Sequence, residues 1–227
     1  MKGKIEMIAV AIDGPAGAGK STLARAAAKR LSYIYVDTGA LYRSIALNAV
    51  RNNVEISNSG EIEKMLEKTK IELKFINDEQ RVFLNGEDVS DKIRTSEISM
   101  AASSISALPA VRSFLLELQR ELARKNNVIM DGRDIGTVVL PNAQVKIFLT
   151  ASPECRAKRR YDEYIAKGKQ ENYEEILESI KQRDYNDSHR AIAPLKAADD
   201  AVLVDTSDDT PQQSVERIVK IIEEKTL

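Results

Sequence analysis

The sequence predicts an α/β fold in which a five-stranded parallel sheet is flanked by helices. First, apolar runs of strand length recur along the chain with helical stretches between them. Second, a glycine-rich loop, Gly14 to Thr22, joins the first run to the first helix. Third, 227 residues with 43% hydrophobic content suffice for one substantial core with small insertions. We therefore expect a single domain over 1–227. The strand-length runs are Ile5 to Ile12, Tyr33 to Gly39, Val128 to Met130, Val145 to Leu149 and Ala201 to Val204.

Composition limits the classes of partner that the chain can have. The net charge is −1 and the pI is close to 6.0, so no general basic field attracts nucleic acid or an anionic membrane. The single cysteine, Cys155, excludes an intramolecular disulfide framework, and with the one histidine, His189, it cannot assemble a metal site. No stretch resembles a signal peptide or a membrane span. We expect a cytoplasmic monomer without a nucleic-acid or membrane partner.

The loop after the first strand matches a complete phosphate-binding pattern of Gly, four residues, then Gly-Lys-Ser. Glycines let successive N–H groups face an anion, and the following helix adds its positive end. Lys20 can then neutralise the outer phosphates, and the Ser21 hydroxyl can hold Mg²⁺. The alternative is a glycine-rich turn that happens to contain Lys-Ser, which would not explain the flanking strand and helix. The predicted loop residues are Gly14, Pro15, Ala16, Gly17, Ala18, Gly19, Lys20, Ser21 and Thr22.

The second strand ends in turn residues, and a helix follows from Ala40 to about Asn53. Tyr42 and Arg43 lie on the first turn of that helix, near the C-terminal edge of the predicted sheet. Open parallel sheets bind ligands at this edge. The alternative for Arg43 is a solvated surface charge.

Residues 54–95 interrupt the alternation of strands and helices. Ile62 to Leu66 indicates a short helix. The alternating segments Ile71 to Phe75 and Val82 to Leu84, with a turn at Asn77-Asp78, predict an antiparallel ribbon. Because an isolated ribbon of this size is not stable, we expect an insertion that leans on the main body and can move with substrate.

Two amphipathic helices follow the insertion, marked by Ile98 to Ile105 and by Pro109 to Leu122. Ser103 and Arg112 lie at the edges of their apolar stripes. Such positions border either a cleft or solvent.

The third strand ends in a polar, glycine-flanked segment, Asp131 to Gly136. The cation Arg133 and the carboxylate Asp134 are thereby placed at the ligand-binding edge of the sheet. The alternative is a polar turn that holds an internal ion pair.

A strong helix start at Ser152, with proline and an acid behind it, opens the segment after the fourth strand. This helix presents Arg156, Arg159 and Arg160 on one face. Such a run is usually a solvated face, but a lid that closes over a triphosphate would need the same residues. The helix is expected to break at Lys167 to Lys169.

An apolar stripe from Tyr173 to Ile180 becomes charged where it continues, at Arg183, Asp187 and Arg190. Inward charges must be paired or serve a ligand. A salt-bridge network is one interpretation, but two arginines against one aspartate leave positive charge for an anion. An edge helix, Pro211 to about Glu223, closes the chain.

Taken in order, these segments resemble the bacterial-type cytidylate kinases of the nucleoside monophosphate kinase superfamily over nearly the whole chain. The segments that carry the resemblance are Ile12 to Thr22, Asp37 to Arg43, Leu84 to Val89, Gly132 to Thr137 and Arg183 to Leu195. Members of that family have a P-loop NTPase core of parallel strands, a monophosphate-binding domain enlarged by an insert, and a mobile helical lid. The resemblance therefore implies a monophosphate-binding region at about 40–107, with the insert at about 54–95, and a lid at about 152–170.

The resemblance also implies an activity, the transfer of the γ-phosphoryl group of ATP to CMP or dCMP in the presence of Mg²⁺. The phosphate loop would bind ATP, with Lys20, Arg133 and Arg160 as the catalytic residues. The other two arginines of the same helix compete with Arg160 for this role. The residues implied to bind CMP are Asp37, Thr38, Tyr42, Arg43, Ser103, Arg112, Arg133, Asp134, Arg183, Asp187 and Arg190.

The implied roles divide these residues into three groups. The acceptor phosphate would be held by Arg43 and Arg133. The base would face Ser103, Arg112 and Asp134, and the sugar and nearby phosphates would be served by Tyr42, Arg183, Asp187 and Arg190. A carboxylate beside an arginine complements cytosine, which offers an amino donor at N4 and acceptors at N3 and O2.

The sequence leaves two rival functions open. A kinase that phosphorylates another monophosphate, or a hydroxyl such as that of shikimate, would share the fold. A hydroxyl acceptor would favour a positioned base such as Asp37. A nucleotide-operated binding switch is disfavoured because no Asn-Lys-x-Asp segment occurs in the sequence.

Overall fold

The structure is a computed structural model that describes residues 7–76 and 79–226. The predicted turn at Asn77-Asp78 and the start of the first apolar run, at Ile5, lie outside the described residues. The chain divides into two compact units. We name them the loop unit, Met1–Ile34 with Asn126–Leu227, and the middle unit, Tyr35–Lys125.

Eight strands and eight α-helices are described, together with a 3₁₀ turn at Lys92–Arg94 and a π-helix at Ile135–Val139. The strands are β1 Ala9–Asp13, β2 Ile34–Asp37, β3 Ile71–Ile76, β4 Glu79–Leu84, β5 Glu87–Asp88, β6 Val128–Gly132, β7 Val145–Thr150 and β8 Val202–Asp205. The helices are α1 Lys20–Leu31, α2 Thr38–Arg51, α3 Ser59–Leu66, α4 Ser96–Ile105, α5 Pro109–Lys125, α6 Pro153–Ala166, α7 Tyr173–His189 and α8 Pro211–Thr226.

The predicted five-stranded parallel sheet is confirmed, with the strand order β2-β6-β1-β7-β8. The central strand β1 pairs in parallel with β6 and β7, and β7 pairs with β8. Its residues Val10, Ala11 and Ile12 are completely buried, which accounts for the continuous apolar run. In the register of β1 with β6, Ile12 lies opposite Asp131 and Asp13 lies opposite Gly132. The phosphate loop and the polar segment after β6 therefore start at the same edge of the sheet.

The middle unit has its own core, formed where α2, α4 and α5 pack with α3 and the small sheet. Leu41, Ile45, Ile62, Ile105 and Leu115 are among its fully buried side chains. The predicted ribbon is a three-stranded antiparallel sheet, because the two-residue strand β5 adds to β4. The unit is wider than the predicted monophosphate-binding region at about 40–107, since it includes all of α5.

Two observed boundaries differ slightly from the expected ones. Helix α2 begins at Thr38, two residues before the expected Ala40, because the Asp37 carboxylate caps it by accepting the Ala40 N–H at 2.9 Å. The fifth strand is shifted by one residue, to Val202–Asp205.

Among the described residues, no single helix has the length and apolar content to cross a membrane. One pair of helices, Glu97–Ile105 with Pro109–Lys125, has that length and apolar content when the two are taken together, but the pair is bent by 97°.

Candidate active site at the phosphate loop

The phosphate loop has a backbone that only glycine can adopt at its first position. Gly14 has φ 147°, and a Cβ atom there would lie 1.9 Å from the carbonyl oxygen of Leu149 on β7. The loop therefore packs directly on the sheet. Gly19, with φ 85°, stands at the N-cap of α1 without a side-chain cap, and the first turn of α1 contains no acidic residue. This helix end is suited to an anionic ligand.

Lys20 is the cation that the sequence places in the loop, and its side chain lies inside the site. The residue is 6% exposed, and its Nζ donates a hydrogen bond to the Pro15 carbonyl at 2.7 Å. Burial lowers the pKa of Lys20 well below its ordinary value, and the positive charges of Arg133 and Arg183 lower the pKa further. Asp131 and Asp13 act in the opposite direction. A polyphosphate bound beside Lys20 would stabilise its ammonium form.

Ser21 and Asp131 form a candidate magnesium site. The Ser21 hydroxyl donates to Asp131 Oδ2 at 2.8 Å, and Asp131 is buried near the end of β6. Hydroxyl and carboxylate oxygens are ligands that Mg²⁺ accepts, and Mg²⁺ commonly keeps waters and phosphate oxygens as its other ligands. The described residues contain no group of three or more His, Cys, Asp or Glu that could hold a metal. Ser21 is among the residues predicted from the sequence, whereas Asp131 is not.

Asp13, which directly precedes the loop, is a second acidic residue that was not predicted from the sequence to belong to the site. Its carboxylate accepts the backbone N–H groups of Ile135 at 2.8 Å and Gly136 at 2.7 Å. Burial raises the pKa of Asp13 to about 6, although these two hydrogen bonds lower it. Asp13 thus ties the unpredicted π-helix to the end of β1. An acid at the end of a buried strand was the available signal.

Two ion pairs join the segment after β6 to α7. Arg133 Nε donates to Asp187 Oδ2 at 2.9 Å, and Arg190 Nη2 lies 3.6 Å from Asp134 Oδ1. The charged continuation of the α7 stripe is therefore directed at this segment. Arg183 lies one turn before Asp187 and is near enough to lower the pKa of Lys20. The structure brings these predicted site residues together within the loop unit.

The three arginines of α6 have different surroundings. Arg156 is buried and donates to Ala16 O, Ala151 O and Asp184. Arg159 donates to the backbone oxygen of Thr206 at 2.6 Å. Arg160 donates to the Tyr164 hydroxyl, one turn further along its own helix, at 3.0 and 3.2 Å. Arg156 and Arg159 are thus bound to the fold, which favours Arg160 as the candidate for a ligand.

In the middle unit, the start of α2 holds Asp37 and Arg43 together. Arg43 Nη2 lies 2.8 Å from Asp37 Oδ2, and the Arg43 side chain is only 21% exposed. Arg43 is therefore not a solvated surface charge. Gln80 of β4 accepts the Asp37 N–H at 2.9 Å and donates to the Asp37 carbonyl at 3.4 Å. Thr38 is buried and Tyr42 is half-buried on the same turns of α2.

The two residues expected to face the base from the middle unit lie near the junction of α4 and α5. Arg112 is buried and donates to the Ser106 carbonyl at 3.2 Å, and the Ser103 carbonyl accepts the Ser106 hydroxyl at 2.8 Å. Asp134, their expected companion at the base, belongs to the loop unit. Their joint action on one base stays a prediction.

Comparison with known proteins identifies relatives over nearly the full length. A family model described as cytidylate kinase matches residues 10–224. Curated cytidylate kinases are similar at 50% identity in Caldanaerobacter subterraneus, covering 96% of both chains, and at 49% in Carboxydothermus hydrogenoformans, covering 95% of this chain and 97% of the relative. The Bacillus subtilis cytidylate kinase is 48% identical, over 96% of this chain and 98% of its own. Among solved structures, an uncharacterised protein from Eubacterium ventriosum shares the fold with a TM-score of 0.52 at 12% identity, covering 96% of this chain and 99% of the other.

Proposed function

The chain belongs to the cytidylate kinase family, and we propose that it transfers the γ-phosphoryl group of ATP to CMP or dCMP, giving ADP and CDP or dCDP. The observation that carries this proposal beyond the family match is the buried cation Lys20, with Arg133 and Arg183 close enough to lower its pKa. Cations grouped beside the N-terminus of a helix are suited to an anion of high charge. The terminal phosphates of a nucleotide supply that charge.

The chemistry needs positioning and charge rather than a general base. The acceptor is itself a phosphate anion, so no proton has to be removed from a hydroxyl group. Lys20 would neutralise the donor phosphates, Arg133 the acceptor, and Arg160 the group in transfer. Ser21 and Asp131 would hold Mg²⁺, which neutralises developing charge on the phosphate oxygens when bound. The Arg133–Asp187 pair orients the guanidinium before the substrates bind.

We propose that Asp134 selects the base. Its carboxylate can accept the N4 amino group of cytosine, whereas uracil offers a second acceptor at O4 and would be repelled. Ser103 and Arg112 would meet the acceptor atoms of the base. One such pair discriminates by about 1–3 kcal/mol. Tyr42, Arg183, Asp187 and Arg190 are proposed for the sugar and its phosphates, with Asp37 and Thr38 at the start of α2.

Two alternatives have weaker support. A kinase with a hydroxyl acceptor would need a free base such as Asp37, but Asp37 Oδ2 is paired with Arg43 and Oδ1 caps α2. A binding switch without an acceptor would leave the arginine cluster without a ligand. We also propose that the protein acts as a monomer in the cytoplasm; the single cysteine fits a reducing compartment.

The test is a coupled assay of ADP release with ATP, Mg²⁺ and each of the four ribonucleoside monophosphates, dCMP or shikimate. We expect CMP and dCMP to stimulate ADP release most. A protein that releases ADP slowly and ignores every acceptor would be a binding switch. Stimulation by shikimate alone would identify the hydroxyl-acceptor class.

Base selection is tested by Asp134→Asn, which replaces an acceptor by an amide that can also donate. We expect the ratio of kcat/KM for CMP to that for UMP to fall about tenfold. An unchanged ratio would remove Asp134 from base recognition. Arg183→Ala tests the proposed role of Arg183 at the acceptor. This variant should lower kcat/KM for CMP much more than it weakens the binding of ATP. Equal losses for the two nucleotides would contradict that role.

A further inference from the structure

Arg156 is an arginine that is almost completely buried, at 2% exposure, in the first turn of α6. Its Nε donates to the Ala151 carbonyl at 2.9 Å, and its Nη1 donates to the Ala16 carbonyl at 3.0 Å. Nη1 and Nη2 also donate to the two carboxylate oxygens of Asp184, at 3.1 and 2.5 Å. Burying a guanidinium group is unfavourable even when it is paired, and an apolar side chain could fill the same volume. A fold that retains the charge here therefore calls for a reason beyond stability.

The contact with Ala16 reaches the centre of the phosphate loop. In a trans peptide the carbonyl and the next N–H point in opposite directions. A guanidinium that holds the Ala16 carbonyl therefore directs the Gly17 N–H away from Arg156. Gly17 has φ 76°, and a Cβ atom there would lie 3.4 Å from Arg156 Cβ, so the loop packs against the arginine. Rotation of this peptide would break the hydrogen bond.

We propose that Arg156 is a positioning residue that sets the direction of the Ala16–Gly17 peptide and thereby the affinity of the loop for the phosphates of ATP. This inference rests on the proposed function, because it takes the loop to be the ATP site. Arg156 need not touch the nucleotide. It acts through the Gly17 N–H, whose direction determines whether that group can donate a hydrogen bond to a phosphate oxygen.

The same side chain joins the loop to α7. Asp184 belongs to α7 and lies three residues before Asp187, which is the partner of Arg133. Arg156 thus connects three segments: the end of β7 at Ala151, the loop at Ala16 and α7 at Asp184. Only the contact with Ala16 bears on the loop peptide, so the two connections can be separated by mutation.

Three single variants separate them. Arg156→Lys keeps a charge but lacks the planar fork that serves several acceptors at once. Asp184→Asn removes the ion pair and leaves the contact with Ala16 in place. Lys158→Gln, on the exposed face of α6, is the matched control. The readout is the Kd for the non-hydrolysable ATP analogue adenylyl imidodiphosphate with Mg²⁺, measured by calorimetry together with Tm.

We expect Arg156→Lys to raise the Kd about tenfold or more, the loss of one hydrogen bond from a charged group. Asp184→Asn should change the Kd less than about threefold, even if it lowers the Tm as much as Arg156→Lys does. Lys158→Gln should leave both the Kd and the Tm unchanged. Equal weakening by Arg156→Lys and Asp184→Asn would overturn the proposal, as would a Kd for Arg156→Lys within about twofold of the original.

A double variant, Arg156→Met with Asp184→Leu, serves if Arg156→Lys does not fold. Replacing a buried ion pair by apolar residues of similar volume is often neutral or stabilising. We expect this variant to keep its Tm and still bind the analogue about tenfold more weakly. Unchanged binding would overturn the proposal. The Kd for the ATP analogue is measured without an acceptor. If CMP did not react in the coupled assay, the proposed function would be wrong, but the role of Arg156 in ATP binding would still be tested by this Kd.

Discussion

The loop unit and the middle unit orient their candidate phosphate-binding arginines in different ways. In the loop unit, Arg133 is held by Asp187, which lies 54 residues away in the chain. In the middle unit, Arg43 is held by Asp37, six residues away, and the same carboxylate caps the helix that carries Arg43. The first arrangement depends on the tertiary fold, and the second depends on one helix end. Variants in the loop unit should therefore have the larger and less local effects.

Burial strengthens the same contrast. Lys20, Asp13 and Asp131 are all buried around the phosphate loop, while Asp37 and Arg43 are partly exposed. Charges far from solvent interact strongly and are expensive to leave without a partner. The four predictions that follow test this difference, in order of decreasing effect.

The largest effect is expected from Lys20→Met. The substitution removes the buried cation beside the donor phosphates, and we expect kcat/KM to fall about 10³-fold. Since burial already opposes the charged form of Lys20, the Tm should not fall. Lys29→Met, an exposed position on the same helix, is the control. If kcat/KM fell less than about tenfold, burial of Lys20 would not strengthen its electrostatic effect on the reaction.

The second prediction uses pH to test the buried acid of the loop unit. The pKa of Asp13 is raised to about 6, against 3.8 for an ordinary aspartate. Below pH 3.8 this group is protonated in both the folded and the unfolded state, and its ionisation in the fold above pH 6 costs about 3 kcal/mol. Stability from this group is therefore fully present at acid pH and lost as pH rises through 6.

Urea unfolding of the unaltered protein and of Asp13→Asn between pH 4 and 7 measures this term. We expect the difference in free energy of unfolding to move by about 2 kcal/mol in favour of the variant as pH rises over this range. Asp199→Asn, at an exposed position, should show no such trend. A difference that does not vary with pH would contradict the raised pKa.

Arg43→Gln tests the middle unit. Loss of a charged hydrogen-bond donor to the acceptor phosphate should lower kcat/KM for CMP about thirtyfold. The KM for ATP should stay within about twofold, because the effect is local. The control is Arg51→Gln, an exposed position of α2 that pairs with Glu87. If the KM for ATP rose as much as the KM for CMP, the effect of a variant in the middle unit would not be local.

The smallest effect is expected from Gln80→Leu in the insertion. Gln80 supports both polar groups of the Asp37 backbone, so its loss should loosen Arg43 indirectly. We expect the KM for CMP to rise about fivefold with little change in kcat. Glu79→Gln, exposed on the same strand, is the matched control. An unchanged KM for CMP would separate the insertion from the acceptor site.

What the sequence could predict follows the same division. The phosphate loop, the five strands and the start of α2 are local patterns, and each was found near its observed place. The π-helix at Ile135–Val139 was not, because it depends on hydrogen bonds to Asp13, more than a hundred residues earlier. The strand β5 was missed since two residues show no periodicity.

The roles of side chains were predictable only where neighbours in sequence decide them. Three arginines on one face of α6 look alike in sequence, yet Arg156 and Arg159 are bound to the backbone of distant segments. In the sequence, Asp131 is only the first residue of a polar segment, because the register of β6 beside β1 is what brings it to Ser21. These assignments need the tertiary structure.

The register of the central strands positions the candidate metal site. Successive side chains of a strand alternate between the two faces of a sheet, so a slip of one residue between β1 and β6 would carry Asp131 to the opposite face from Ser21. The place of Asp131 in the candidate metal site therefore depends on the pairing of β6 with β1. Protection of the β6 amides against hydrogen exchange should therefore outlast that of the peripheral helices, and Asp131 should keep its position in every partial opening that spares this ladder.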